Sequence, residues 1–432
     1  MCKFTVSIIL PIYNAERHLK ECLESCVHQT LDKTEIICIN DGSTDDTDKI
    51  LNIYAQNYGN IVILEQKNQG AGSARNLGIK HARGKYIAFM DSDDYYPDND
   101  VLKKLYNTAV QEDVLICGGT LYFSQIGDSG LKNSKVKFQF KKNQKMYYRN
   151  YQHPYGFTQY IYNTEFLKKN EIVFSICRQY EDPPFLVKAM IKAQIFYAIS
   201  DVVYVVRNTD KVIRYANKDI ILGVLEGIKY ILNISKVNEY EILHADVVVK
   251  MKTYLEYVYQ LIYNGNSDVR KVYEDILYGI DETLLKRDKR QIEKPEVLSD
   301  KEIYQMVYRG LIREKELIQK IILFKIVLIY GAGRAGRSLY DYLKRRNYNG
   351  TVEFVVSAEN PEYTACGKTV RCINDYVDYG NDVLVIIANK DHIKEMEENA
   401  KRHKFRNIEK ISYDELKLFG ADITFDNYIT IY

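Results

Sequence analysis

The sequence predicts an α/β protein with two sheet-containing domains joined by helices, and three observations carry that prediction. Short apolar runs at residues 6–10, 36–39, 61–64 and 87–90 alternate with longer amphipathic stretches, the rhythm of repeated β-α units around a mainly parallel sheet. The rhythm restarts at Lys325, with strand candidates at 326–330, 352–356 and 383–387. Between the two, Met251, Leu255, Val258 and Ile262 recur at helical spacing, as do Ile303, Val307, Leu311 and Ile318. A chain of 432 residues accommodates several domains, at about 100 to 200 residues each. The expected division is an N-terminal domain over 1–215, a helical connector over 216–322, a smaller α/β domain over 323–420 and a tail over 421–432. Within the first domain, residues 111–210 are less regular. The strand-like runs 114–116 and 202–206 and the helical pattern 185–193 suit the second half of the same sheet.

Composition narrows the function classes. With 46% hydrophobic and 27% charged residues, the chain can bury a sizeable core, which excludes wholesale disorder. A net charge of +2 argues against a general nucleic-acid binder, which collects Lys and Arg in excess. The N-terminus shows no tripartite export signal, and the longest apolar stretch, 321–330, is interrupted by Lys325 and is far short of the ~20 residues of a bilayer span. Eight dispersed cysteines without a Cys-x-x-Cys pair suggest neither zinc ribbon nor disulfide framework, so a reducing cytoplasm is expected. Cys22 and Cys26 share a helical face with Leu19 and Leu23, which favours core packing over a metal site.

Ligands of open α/β sheets bind beyond the carboxyl ends of the strands, so the residues after each apolar run are the ones to inspect. They are Pro11-Ile12-Tyr13-Asn14, Asn40-Asp41-Gly42-Ser43 and Asp91-Ser92-Asp93-Asp94. Ser43 with Asp46 also fits a helix cap. Asp41 stands before a Gly-containing turn, where its carboxylate can serve a base or ribose or simply the turn. Asp91 and Asp93 are two residues apart, so an extended chain points both carboxylates the same way. Such crowding is costly unless a divalent cation compensates it, and Mg²⁺ or Mn²⁺ bridging to a diphosphate suits an oxygen pair of this kind. Taken alone, an Asp-x-Asp is equally compatible with a solvated turn.

The ordered set of these three segments, with Asn68-Gln69-Gly70, Ala74-Arg75-Asn76 and Glu181-Asp182, resembles the family 2 glycosyltransferases over residues 1 to about 210. The resemblance implies the A-type nucleotide-sugar fold (GT-A) and inverting transfer of a sugar from a nucleotide diphosphate sugar. It implies that Pro11, Tyr13, Asn14, Asp41, Arg75 and Asp91 bind the nucleotide sugar, with Asp41 at the base and Asp91 at the ribose. It also implies that Asp93, with Asp91, holds the metal and that Asp182 is the catalytic base, with Glu181 as an understudy. An acceptor hydroxyl is a poor nucleophile at neutral pH, and a placed carboxylate can take its proton as the new bond forms. The chain has no tryptophan and no membrane span, unlike the processive, polymer-spinning relatives, so it is similar to the soluble, single-addition branch. The expected acceptor is a glycan or lipid-linked molecule of surface polysaccharide or glycoconjugate synthesis.

Two further features are not absorbed by that resemblance. Between residues 129 and 164 there is no Asp or Glu, while Lys132, Lys135, Lys137, Lys141, Lys142, Lys145 and Arg149 interleave with Phe138, Phe140, Tyr147, Tyr148 and Tyr151. This stretch is either a solvated loop or a surface for an anionic acceptor or membrane headgroups, which would make the protein peripheral at the inner face of the membrane. In the second domain, Gly331-Ala332-Gly333-Arg334-Ala335-Gly336 follows a strand and opens a helical pattern, the context of the dinucleotide fingerprint. Its second strand ends in Val356-Ser357-Ala358, where an acidic ribose partner is expected, and Glu359 comes late. The domain therefore either binds NAD(P) through Gly331, Gly333 and Gly336 or is a packing, docking or regulatory module. Two alternatives to the transferase follow: an NAD(P)-dependent sugar-modifying oxidoreductase, and a non-catalytic sugar-nucleotide-binding regulator.

Overall fold

The computed structural model describes residues 3–124, 135–177, 179–207, 212–213, 217–359, 361, 364–389, 392–419 and 423–424. It divides into two compact units. The first comprises Met1–Asn208, Gly223–Val249 and Gly279–Lys294; the second comprises Thr209–Leu222, Lys250–Tyr278 and Pro295–Tyr432. Helices run through the stretch 216–322, and its residues are divided between the two units.

In the first unit, β1 (Phe4–Ile12), α1 (Leu19–Val27), β2 (Thr34–Asn40), α2 (Thr47–Asn57), β3 (Ile61–Glu65), α3 (Ala71–His81) and β4 (Gly84–Phe89) alternate as predicted. The strands β3-β2-β1-β4 are parallel neighbours. Their central members are continuous apolar runs because helices cover both faces. Helix α1 buries Leu19, Cys22, Leu23 and Cys26, so the two cysteines are core residues. Next come α4 (Val101–Gln111), β5 (Ile116–Phe123), β6 (Lys135–Phe138), β7 (Gln144–Tyr147), α5 (Tyr148–Tyr151), β8 (Tyr160–Asn163), α6 (Thr164–Lys169), α7 (Asp182–Ala193) and β9 (Ile195–Val206). Strand β5 starts where the run 114–116 was expected to end.

The described strands extend the sheet as β3-β2-β1-β4-β8-β5-β9-β7, with β6 on β5. Strands β5 and β9 are parallel, whereas β6, β7 and β8 pair antiparallel. The mainly parallel sheet is as expected, with the antiparallel pairs confined to β6, β7 and β8. Parallel neighbours need a long crossover, and residues 135–163 contain no helix long enough to supply one. The strand β10 (Val212–Ile213) belongs to the second unit, and α8 (Lys218–Val237) and α9 (Glu241–Lys252) follow.

The second unit contains α10 (Leu255–Tyr263), α11 (Ser267–Gly279) and, after α12 (Glu282–Arg287), α13 (Asp300–Ile321), which opens on a Ser299–Glu302 capping box. Then come β11 (Ile326–Tyr330), α14 (Arg334–Arg345), β12 (Thr351–Val356), β13 (Thr364–Ala365), β14 (Lys368–Cys372), β15 (Val383–Ala388), α15 (Ile393–Arg402), β16 (Ile408–Ile411), α16 (Tyr413–Leu418) and β17 (Ile423–Thr424). The order β13-β14-β12-β11-β15-β16 is parallel except at β13, so the second α/β rhythm is a Rossmann-like sheet. The tail 425–432 lies outside the described residues. Among the described residues, no helix is long and apolar enough to cross a membrane.

Candidate active site

The first sheet reverses its strand order between β1 and β4, which places a crevice at the carboxyl ends of these strands. The loops after β1 and β2 are laced together there. Asn14, at φ 48°, takes the left-handed conformation that Asn tolerates and accepts from the Thr44 amide at 2.7 Å. Its own amide donates to Ser43 Oγ at 3.1 Å, and the Ala15 amide donates to Thr47 Oγ1 at 2.9 Å. Ser43 therefore joins two loops and does not cap α2, which begins at Thr47. Pro11 is buried beneath this loop, and Tyr13 is 50% exposed at its tip.

Asp41 differs from its expectation as a carboxylate left open to a base. It is 3% exposed and accepts from Gln66 Nε2 at 2.7 Å and from the amides of Gln69 at 2.8 Å and Gly70 at 2.8 Å. Three of about four acceptor positions are filled, so Asp41 chiefly orders the loop after β3. Gly42 serves the same junction: its φ is +75°, and a Cβ there would come 3.1 Å from the Asn68 amide nitrogen.

Arg75, on α3, is the hub of the crevice. Its Nη2 donates to Asp91 Oδ1 and its Nη1 to Glu181 Oε1, both at 2.7 Å. The guanidinium carbon lies 4.8 Å from the ring centre of Phe157 and 5.1 Å from that of Phe174. Burial opposes its charge, and Asp91 and Glu181 more than offset that, raising its pKa above the ordinary value. With a side chain only 5% exposed and two carboxylates in its fork, Arg75 holds the site together.

The Asp91–Asp94 turn is anchored from behind. The Asp91 amide donates to Tyr204 Oη at 2.9 Å, and that hydroxyl donates to Asp94 Oδ2 at 2.9 Å. The Arg207 amide donates to Asp94 Oδ1 at 2.8 Å, and Arg207 Nε donates to the Asp93 carbonyl at 3.0 Å. Asp94 is raised well above the ordinary carboxylate range, first by burial and then by the charges of Asp93 and Asp91. His18 is lowered by burial and by the charges of Arg207 and Arg17, with Asp93 pulling the other way. Arg207 and Tyr204 are thus structural members of a site in which the sequence reading gave roles to Asp41, Arg75, Asp91, Asp93, Glu181 and Asp182. Arg207 could have been found, because it directly follows the expected strand 202–206 and the strand-end rule applies to it.

Asp182 opens α7, where Pro183 and Pro184 fit the first turn because its amides lack helical partners anyway. Its carboxyl is pushed up to about 7, by burial first and by Glu181 second, while Arg75 pulls it down. A carboxylate titrating near neutrality is suited to general-base work. Arg75 therefore brings together Asp91, after β4, and the Glu181-Asp182 pair 106 residues from it.

A divalent cation fits this donor set. Among the described residues no group of three or more metal-capable side chains forms, and a cation satisfied by one or two carboxylates plus water and phosphate oxygens needs none. Arg75 bonds Oδ1 of Asp91, and the charges of Asp91 and Asp93 both act on Asp94.

Of the basic stretch, Lys132 lies outside the described residues, as do the side chains of Lys135 and Lys137. Lys141, Lys142, Lys145 and Arg149 are exposed, whereas Phe140 and Tyr148 are buried, so these aromatics pack inward and the cations face out. In the second unit, Gly331 has φ 116°, and a Cβ on Gly336 would sit 1.9 Å from the Gly331 carbonyl, so both glycines serve the turn. A Cβ on Gly333 would meet nothing within 4 Å. After β12, Ser357 Oγ is 2.5 Å from Tyr330 Oη.

Comparison with known proteins bears on the first unit. Residues 7–168 match the family model "Glycosyl transferase family 2". The chain is 41% identical over 126 residues to the putative glycosyltransferase EpsH of Bacillus subtilis, covering 29% of this chain and 36% of that protein. It is 33% identical over 216 residues to the poly(ribitol-phosphate) beta-glucosyltransferase of Bacillus spizizenii, covering 46% and 31% respectively. The chain thus spans about a third of the length of these curated relatives. Among solved structures, S. aureus TarS 1-349 in complex with UDP-GlcNAc has a similar fold, with a TM-score of 0.53 at 20% identity, covering 72% of this chain and 92% of that one.

Proposed function

Because residues 7–168 form a family 2 glycosyltransferase domain on a GT-A fold, we propose that the chain is an inverting transferase. It moves one sugar from a UDP-sugar to a hydroxyl of a glycan or lipid-linked acceptor in surface-polymer synthesis. The observation that carries this reading is the Arg75 fork, which joins the Asp-x-Asp turn to the Glu181-Asp182 pair at the strand ends. The UDP-GlcNAc held by TarS and the activity in the name of the B. spizizenii relative support the donor class and the polymer acceptor.

In this mechanism Tyr13 offers an exposed ring to the base, and Asp41 fixes the loop beside it. Asp91 and Asp93 would hold Mg²⁺ or Mn²⁺, which when bound neutralises charge on the diphosphate. Asp182 takes the proton of the acceptor hydroxyl as its oxygen bonds to the anomeric carbon, and the bond from that carbon to the UDP oxygen breaks on the opposite face. A single displacement inverts the centre and requires no covalent nucleophile. Exposed Lys141, Lys142, Lys145 and Arg149 suit an anionic acceptor or a membrane surface at the cytoplasmic face. The second unit serves as a docking or regulatory module. Its first two strand ends offer glycines and a Tyr330–Ser357 pair, and a melting shift on adding NAD(P) would contradict this.

The test is a thermal-melt screen of uridine, guanosine, thymidine and cytidine diphosphates and their sugars, with and without Mn²⁺, followed by NMR of the product anomer. Mn²⁺-dependent protection by UDP-sugars and an inverted product are expected. Protection by another nucleotide series, or retention at the anomeric carbon, would overturn the reading.

A further inference from the structure

The residues that carry Asp182 run through a passage walled by glycines. On α3, a Cβ added to Gly72 would lie 2.5 Å from the Ser175 carbonyl oxygen and 3.3 Å from Glu181 Cγ. On α8, a Cβ on Gly223 would lie 3.0 Å from Cys177 Cβ and 3.1 Å from the Gln179 carbonyl oxygen. A Cβ on Gly227 would lie 2.7 Å from the Tyr180 ring and 3.2 Å from its carbonyl oxygen. Gly223 and Gly227 are four residues apart and so share one face of a 20-residue helix. Glycine weakens a helix interior relative to alanine, and these two positions are where the helix meets Cys177, Gln179 and Tyr180.

Tyr180 shows that this backbone is constrained. It is 4% exposed, and its φ of 71° is a conformation that bulky residues rarely adopt. Its hydroxyl is 3.2 Å from that of Tyr155. Glu181, bonded to Arg75, and Asp182 follow immediately. Helix α8, like Glu181 and Asp182, lies outside the 7–168 match.

We propose that Gly223 and Gly227 of α8, with Gly72 of α3, form a steric clamp on Ser175, Cys177, Gln179, Tyr180 and Glu181 that sets the position of Asp182. The glycines are positioning residues, and the inference rests on the reading of Asp182 as the base. A methyl group at Gly227 must displace Tyr180, and the displacement passes through one residue to the carboxylate.

The test uses the full chain with Gly227→Ala and Gly223→Ala. Gly59→Ala is the control, since its methyl would meet nothing within 4 Å. Three quantities are read: UDP release from UDP-glucose and UDP-GlcNAc, UDP affinity with Mn²⁺ by calorimetry, and the ¹³C carboxyl titration of Asp182, which needs no substrate. The expected result for Gly227→Ala is a kcat lower by about 100-fold, as misplacement on the 1 Å scale produces, with UDP affinity within about twofold. The Asp182 midpoint moves as well, Gly223→Ala shows the same pattern more weakly, and Gly59→Ala matches the wild type. An unchanged kcat and Asp182 midpoint in Gly227→Ala, or a loss of UDP affinity equal to the loss in kcat, would overturn the clamp. If Gly227→Ala does not fold, Gly223→Ala decides by the same criteria. Should Asp182→Asn retain transfer, the base assignment is what fails; an inactive Asp182→Asn beside a normal Gly227→Ala sinks the clamp alone.

Discussion

Replacing Asp182 by Asn should make the protein more stable and nearly inactive, and the gain in stability should grow with pH. Folding lifts the Asp182 carboxyl from an ordinary 3.8 to about 7, by burial and then by the neighbouring Glu181. Below pH 3.8 both the folded and unfolded states are protonated, and this group costs nothing. As pH rises toward 7 the unfolded chain ionises first and gains relative to the fold. Above 7 the full cost is present, about 4 kcal/mol at about 1.4 kcal/mol for each tenfold in protonation. Asparagine keeps the shape of the neutral acid, so Asp182→Asn should gain about 2 kcal/mol at pH 5.0 and about 4 kcal/mol at pH 8.5, shared in part with Glu181. Urea unfolding of the full chain at both pH values, read on the transition that UDP raises, measures this. In the same variant the rate of transfer should fall about 10²- to 10⁴-fold, the usual worth of a general base. An equal gain at both pH values, or a loss at pH 8.5, would refute the electrostatic description; retained transfer would refute the role of the residue.

Three other outcomes are expected. Wild-type activity should rise with pH through about 7 as Asp182 loses its proton, and Arg75→Gln should move that limb alkaline, because removing the cation removes the one charge that lowers the Asp182 pKa; a pH-rate profile measures both. Asp41→Ala strands Gln66 Nε2 and the amides of Gln69 and Gly70, which should cost about 2 to 4 kcal/mol in urea unfolding and weaken UDP binding in calorimetry. Buried His244, lowered to about 4 by burial, bonds Ser235 and the Asp281 amide. Its contribution is present above pH 6.5 and is lost as pH falls toward 4, by about 3 kcal/mol, and a His244→Gln variant should lack that part of the slope in acid unfolding curves.

The parts of the fold legible in the sequence were those written in local pattern. Strands β1, β2, β4, β11 and β15 are largely buried parallel strands, and β3 and β12 are half-buried ones, so each is a compact, mostly apolar run between helices. Strands β6, β7 and β8 are four residues each and antiparallel, too short to show an alternation, and their segment was visible only as a charge pattern. The break between α9 and α10 at Thr253 and Tyr254 carries no Gly or Pro, so Met251 and Leu255 look like one helix. At the site, residue types and strand-end positions pointed to Asp41, Asp91 and Asp93, and Asp182 came from the family resemblance alone. What no local pattern reveals is who pairs with whom: the contacts of Arg75 with Glu181, Tyr204 with Asp94 and α8 with Tyr180 span 47 to 110 residues and exist only after folding. The occupied carboxylate of Asp41 is of the same kind, since its partners come from the loop after the next strand.

The most direct measurement of the central claim, that these carboxylates form a cation-assisted diphosphate site, is calorimetric titration of UDP into the wild type and into Asp93→Asn, each with and without Mn²⁺. Tight uptake by the wild type only when Mn²⁺ is present, lost in Asp93→Asn, is the predicted result. Equal binding with and without the cation, or an Asp93→Asn curve that overlays the wild type, would contradict it.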